Sequence, residues 1–276
     1  DGHVPALTGA RLQAFRSTGV DADHTDMSLP RGREKLAAGF SIQIQNSFLA
    51  KDLIEYVDQF PLQDRIMLIT DDVPFIELIE HGHLNANVRR AIALGLRPLR
   101  AIRYATINAA SRLRLYDRGA VSPGYKADIL LMKDLEEIKP DMVFSDGQLV
   151  AENGRCLVRM ERYKFPEEFY HSIHVLPLAA EDFALKTDLP PEAKEALIHV
   201  LGCNEVTTRT KNERRWVPVR DGQLDITGLV KVGVIYRHGC GPEKAPGKEV
   251  SLGLLAGFPD FQGALASTYA HDSHNL

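Results

Sequence analysis

Three side chains of the metal-ligand type stand early in the chain: His3 in Asp1-Gly2-His3, His24 in Ala22-Asp23-His24, and Asp71 in Leu68-Ile69-Thr70-Asp71-Asp72. His24 and Asp71 each close a stretch that reads as a strand and open a loop. Imidazole and carboxylate without thiolate suit a hydrolytic Zn, Mn or Fe site that keeps one position for water. Such an ion lowers the pKa of its water to about 7. A carboxylate such as Asp71, both ligand and neighbour of that water, can take its proton and pass it to a leaving amine. The plainer reading is of two loop histidines and a helix cap at Asp71-Asp72. Spacing alone leaves both readings open.

The elements that must position these residues follow from the same spacing. His24 lies 21 residues beyond His3, and Asp71 a little over twice that interval further on. Those intervals match one and two strand-plus-helix units of a barrel whose eight units share about 250 residues. Ligands delivered one per strand converge only if the strands are parallel neighbours, and a barrel places its chemistry at that rim. Leu7-Thr8-Gly9 leads into a helix with Leu12 and Phe15 on one face, and residues 33–38 form a helical stretch closed by Gly39. Residues 40–45 alternate with the period of a strand, Asn46-Ser47 offers a cap, and Leu49, Leu53, Ile54 and Val57 recur at helical spacing. Residues 65–69 read as a buried strand; helical pieces follow at 75–80, 85–94 and 98–113, bounded by Gly95 and Pro98. Strand and helix in alternation argue for parallel pairing.

After residue 118 the pattern changes to short β runs at 129–132, 142–144 and 148–150, the last entered by an Asp146-Gly147 turn. Residues 160–177 read as a linker or crossover. Strands at 229–236 and 250–255, with a helix at 191–201, make up the remainder.

Composition narrows the field. A net charge of -4 and no Lys/Arg run give no footprint for nucleic acid or a membrane surface. No apolar run has membrane-spanning length. Cys156, Cys203 and Cys240 are far apart and form no Cys-x-x-Cys, which fits a reducing cytoplasm. Dinucleotide and phosphate-loop glycine patterns are absent, as are the Gly-x-Ser-x-Gly elbow and the Pro-Cys-x-x-Cys of zinc nucleobase deaminases. His81 and His83 are two apart in a helical context, where they diverge; one of them is expected to line a pocket from a rim loop. In His271-Asp272-Ser273-His274-Asn275, a helix would put both histidines on one face, and a capped turn fits as well.

Along nearly its whole length the chain resembles the adenine deaminases of the amidohydrolase superfamily. Asp1-Gly2-His3-Val4-Pro5 with Leu7-Thr8-Gly9 looks like that family's Asp-Gly-His-Ala-Pro segment, and Ala22-Asp23-His24 like its next ligand strand. Ile69-Thr70-Asp71-Asp72, followed by Glu80-His81-Gly82-His83-Leu84, is similar to its Thr-Asp-Asp and Gly-His stretches. Residues 103–110, 119–128 and 267–275 extend the match. The middle elements are shared by many amidohydrolases; Arg237-His238-Gly239 and the carboxy-terminal His-Asp-Ser-His-Asn are more particular to adenine deaminases.

The resemblance implies an α/β protein. Residues 1–117 would be the second half of a TIM-like (β/α)8 hydrolase barrel and 118–160 part of a composite β-sandwich. A linker would cover 161–177 and a truncated α+β carboxy-terminal domain 178–276. It implies His3 and His24 as ligands from the fifth and sixth strands, and Asp71 as ligand and proton shuttle from the eighth. Asp72, His83, His271, Asp272 and His274 would surround substrate. The implied reaction is hydrolytic deamination of adenine to hypoxanthine and ammonia, in purine salvage or catabolism. It would use a binuclear centre of Mn or Fe, with Zn as the alternative, in a cytoplasmic homo-oligomer that binds neither nucleic acid nor membrane. Two departures stand out. The family's His-x-His of strand one and bridging residue of strand four are not within residues 1–276, so an internal or carboxy-terminal fragment, inactive by itself, is expected. Thr25 replaces the glutamate that usually follows the strand-six histidine, which bears on substrate choice. Two other readings stay open: an amidohydrolase for another cyclic amidine or amide, and a non-catalytic remnant or assembly module.

Overall fold

The computed structural model describes residues 1–159, 161–185, 187–203, 210–239, 247–258 and 262–267. They form two compact units, Asp1–Glu161 and Arg162–Leu276.

The first unit opens with α1 (Gly9–Ser17), β1 (Ala22–Asp23), α2 (Leu29–Ala37), β2 (Ser41–Ile44), α3 (Lys51–Gln59) and β3 (Ile66–Leu68). The three strands form one parallel sheet in the order β1-β2-β3, and Gly2 adds a parallel bridge to Asp23 on its outer edge. Parallel neighbours joined through helices are what the alternation of elements requires. In β2 the residues alternate: Ile42 and Ile44 are buried, while Ser41 and Gln43 are half-buried. The apolar side meets Leu53, Ile54 and Val57 of α3, joined by Ile66 and Leu68 of β3. Each such side chain contributes about 1.5–3 kcal/mol by leaving water. A smaller cluster of Val4, Leu12 and Phe40 fastens α1 beside the first strand ends.

Helices α4 (Phe75–Glu80), α5 (Leu84–Ala93), α6 (Pro98–Ala105) and α7 (Ile107–Arg112) follow. The single helix expected over 98–113 is broken at Thr106, whose backbone leaves the helical region at φ -126 and ψ -94. The break frees Asn108 to turn inward, where its amide donates to the carbonyls of Gln63 at 2.6 Å and Ile66 at 2.7 Å. The expected cap at Asn46-Ser47 also differs: these residues form a 3-10 turn, and Ala50 precedes α3. Ser47 Oγ instead donates to Gln45 Oε1 at 3.0 Å.

Strands β4 (Ile129–Met132), β5 (Pro140–Ser145), β6 (Gln148–Glu152) and β7 (Arg155–Cys156) form an antiparallel meander in chain order. Its Asp146-Gly147 and Asn153-Gly154 turns have positive φ at both central residues, the hand that matches strand twist.

The second unit is a five-stranded sheet of β8 (Glu195–Gly202), β9 (Lys211–Arg220), β10 (Gln223–Leu224), β11 (Val230–Ile235) and β12 (Val250–Ala256). Its order is β10-β9-β8-β12-β11, with β8 and β12 parallel and the other pairs antiparallel. The helix expected at 191–201 is therefore a strand. Ala196 and Val200 are buried and Leu197 and Leu201 exposed, a period of two that an apolar-rich run hides. The Arg237-His238 turn is held within this unit: His238 Nδ1 donates to Ser172 O at 2.9 Å, and His174 N donates to Arg237 O at 2.7 Å. No helix among the described residues is long and apolar enough to cross a membrane.

Candidate active site

The carboxyl ends of the parallel strands carry the candidate residues in spatial order. His3 follows the Gly2 bridge, His24 follows β1, Gln45 follows β2, and Asp71 lies just beyond β3. His3 Nδ1 and His24 Nε2 are 3.4 Å apart, with the rings edge to face at 67°. Asp1 Oδ2 stands 3.5 Å from the other nitrogen of His24. Gln45 Nε2 donates to Asp71 Oδ2 at 2.8 Å and lies 3.4 Å from the His24 carbonyl, so it ties the last strand end to the second. Asp71 has φ +57, in the left-handed region that L residues enter at some cost and that clusters at functional sites. Gly2 permits the close approach at the outer edge: a Cβ there would meet Val20 Cγ1 at 2.9 Å and the Ala22 carbonyl at 3.0 Å.

The structure thus joins His3 to His24 and Asp71 to Gln45. Among the described residues it gathers no three His, Cys, Asp or Glu side chains into a group that could hold a metal ion. Two imidazole nitrogens facing each other and a carboxylate two strands along the same sheet are a donor set of the hydrolytic type.

Beneath this rim lies a closed polar network. Asp23 and Lys35 are both fully buried, and their side chains meet at 2.7 Å. The Asp23 carboxylate also accepts from Val4 N at 2.8 Å, Thr25 N at 3.0 Å and Thr25 Oγ1 at 3.0 Å. Lys35 Nζ, on α2, donates in addition to the carbonyls of Thr25 and Asp26. Burial pushes the Lys35 ammonium below its ordinary pKa, and the hydrogen bond and charge of Asp23 oppose that shift. Removing one partner of such a pair strands a buried charge and costs about 3–5 kcal/mol.

A cleft of about 330 Å³ adjoins the strand ends, lined by Gln45, Asn46, Thr70, Asp72, Glu77 and His83 among others. Asp72 and His83, both expected near substrate, are brought together there. His81 lines the same cleft and pairs with Glu77 at 3.7 Å. Asn87 secures the exit of β3 by donating to Ile69 O at 2.6 Å. His271, Asp272 and His274 lie outside the described residues. Gln45, Asp1 and the Asp23–Lys35 pair were not read as site residues from sequence. Gln45 alone left a signal, since it directly follows an alternating run, as a strand-end residue should.

Comparison with known proteins gives two family matches. Residues 16–150 match the amidohydrolase family, and residues 207–276 match the adenine deaminase C-terminal domain. The whole chain is 37% identical to an adenine deaminase of Dehalococcoides mccartyi (strain ATCC BAA-2266 / KCTC 15142 / 195), covering 47% of that protein. It is 34% identical to adenine deaminases of Petrotoga mobilis and Klebsiella pneumoniae (strain 342), covering 47% and 45% of them. The chain spans about half the length of the curated relatives it matches.

Proposed function

We propose that this chain belongs to the amidohydrolase family, on its adenine deaminase branch, and forms part of a metal-dependent enzyme that hydrolyses adenine to hypoxanthine and ammonia. The observation that carries the reading is the arrangement of His3, His24 and Asp71 on neighbouring parallel strand ends, with Gln45 between. His3, His24 and Asp71 would hold a divalent cation, Mn or Fe with Zn as the alternative and a second ion alongside, which supplies Lewis-acid activation of water and substrate. Asp71 accepts the proton of the attacking water and delivers it to the exocyclic amine as the C–N bond breaks. Gln45 holds Oδ2 of that carboxylate and leaves Oδ1 for the proton. Asp72 and His83, which line the adjoining cleft, would meet the purine edge; His271, Asp272 and His274 belong to the same proposal.

The three parallel strands and their bridge correspond in this reading to strands five to eight of a (β/α)8 barrel. A sheet of three strands does not close into a barrel by itself; in this reading further strands would complete it. The β4–β7 meander is one part of a composite sandwich, residues 161–177 are a connector, and residues 178–276 are the carboxy-terminal domain of a cytoplasmic homo-oligomer.

One observation favours a second substrate. Thr25 Oγ1 turns inward to Asp23 rather than toward the rim, so position 25 presents no acid to a purine; another cyclic amidine or amide then competes with adenine. Ammonia release by the Mn-loaded intact protein from adenine, adenosine and guanine decides between them. Turnover of adenine is expected. Adenosine turned over with adenine ignored would reject the adenine assignment, and a protein that neither binds Mn, Fe or Zn nor releases ammonia would reject the enzyme.

A further inference from the structure

The Asp23–Lys35 pair is the most fully desolvated charged group in the first unit, and the reaction just described does not use it. Neither side chain reaches the rim. Apart from the bond between them, their hydrogen bonds go to the chain just after each histidine, at Val4 and at Thr25 and Asp26. Val4 N, next to His3, donates to Asp23 Oδ1 at 2.8 Å and stands 3.1 Å from Thr25 Oγ1. Thr25 N and Oγ1, next to His24, both donate to Asp23. Lys35 spends its three ammonium hydrogens on Asp23, the Thr25 carbonyl and the Asp26 carbonyl. Thr25 Oγ1 accepts from one strand end while it donates to the carboxylate of the next, a double role that valine, its isostere, cannot play.

We infer that the Asp23–Lys35 pair, with the Thr25 hydroxyl, is a clamp that sets the separation and facing of His3 and His24. It grips the peptide groups that follow each histidine and anchors them to α2. A buried ion pair is a poor stabiliser beside well-packed apolar side chains of the same volume; its distinctive property is direction, since every bond has a required partner and angle. Outer partners that orient histidine ligands change metal affinity by about 10–100-fold when lost. Asp23, Lys35 and Thr25 are therefore positioning residues for the pair of imidazoles. The metal consequence rests on the reading of His3 and His24 as ligands; the geometric clamp does not.

The test uses the intact protein and two readouts. In the metal-free protein, ring nitrogen NMR shifts report the facing of His3 and His24, with His81 and His199 as internal references. With Co(II) as probe, visible absorption reports ligand geometry and titration reports affinity. The variants are Asp23→Asn/Lys35→Met, which removes both charges together, and Thr25→Val against Thr25→Ser. Ile54→Ala is the control: it lowers stability from the core without touching the clamp. The clamp predicts that the double variant and Thr25→Val move the His3 and His24 resonances alone and weaken Co(II) binding by about tenfold or more. Thr25→Ser restores both readouts, and Ile54→Ala lowers Tm with both unchanged. Unmoved resonances and unchanged affinity in folded Thr25→Val would overturn the clamp, even if the double variant does not fold. Shifted resonances in a protein that binds no Co(II) would uphold the clamp and refute the ligand role of the histidines.

Discussion

At the scale of single residues, Asp71 is asked to do the most. It hydrogen-bonds to Gln45, sits at positive φ and stands on the proposed path of the proton. Asp71→Asn keeps the shape and removes the base; kcat for ammonia release should fall by about 10²–10⁴-fold. Gln45→Leu removes only the amide that orients Oδ2, so a fall in kcat of about tenfold is expected with bound metal retained. Steady-state kinetics with metal analysis separates the two effects, and full activity in Gln45→Leu would remove it from the mechanism. The strand-end placement of His24 and Asp71 was legible because each closes a short apolar run, and that of His3 from its spacing to His24. Gln45 left only its place after an alternating run as a signal, since a neutral amide is as common on a plain loop. Lys35 was hidden by distance: nothing in residues 33–38 says that this lysine turns inward to a carboxylate on β1.

At the scale of elements, period and punctuation revealed most of the parallel part. Gly19, Gly39 and Gly95 each stop a helix at positive φ, and Ile42 and Ile44 alternate as a half-buried strand should. The misread helix at β8 shows the limit: an apolar-rich run with a proline before it satisfies both templates until its partner strand β9 is known. The break at Thr106 is likewise set by tertiary demand for Asn108, not by local sequence. Tyr104 of α6 makes a test of this packing. Its hydroxyl lies between the Val57 carbonyl, at 3.1 Å, and the Gln63 side-chain oxygen, and burial pushes its pKa from 10.0 up to about 12. A raised folded pKa means that the protonated group stabilises fully below pH 10.0 and that this contribution is lost as pH climbs toward about 12. The loss is on the order of 3 kcal/mol. Urea unfolding across that range should show the decline, and Tyr104→Phe should flatten it. An equal slope in both proteins would place the titration elsewhere.

At the scale of the whole molecule, the chain holds two compact units and only one carries the proposed ligand set. Calorimetry of the intact protein should therefore separate responses to metal. Chelation is expected to lower the transition of the unit containing His3 and His24, and Mn at a hundred times its Kd should return about 2.7 kcal/mol to it. The unit built on β8–β12 should be indifferent; a shift there instead would relocate the metal. The units part between Glu161 and Arg162, where the sequence offers only scattered prolines and aromatics that do not say which contacts are separated.

The bridge from Gly2 to Asp23 has a consequence for how such a centre can change. Adjacent strands are spaced about 4.8 Å apart by their backbone hydrogen bonds, and a slip of one residue turns a side chain to the opposite face. The strand positions that carry the two histidines are thus quantised by the sheet, and the clamp adjusts the rings only within that step. An evolving lineage can exchange a ligand for another side chain, but it cannot slide one by half a step. Altered metal preference in this architecture should accordingly appear as substitutions at fixed positions, with insertions confined to the far ends of the helices.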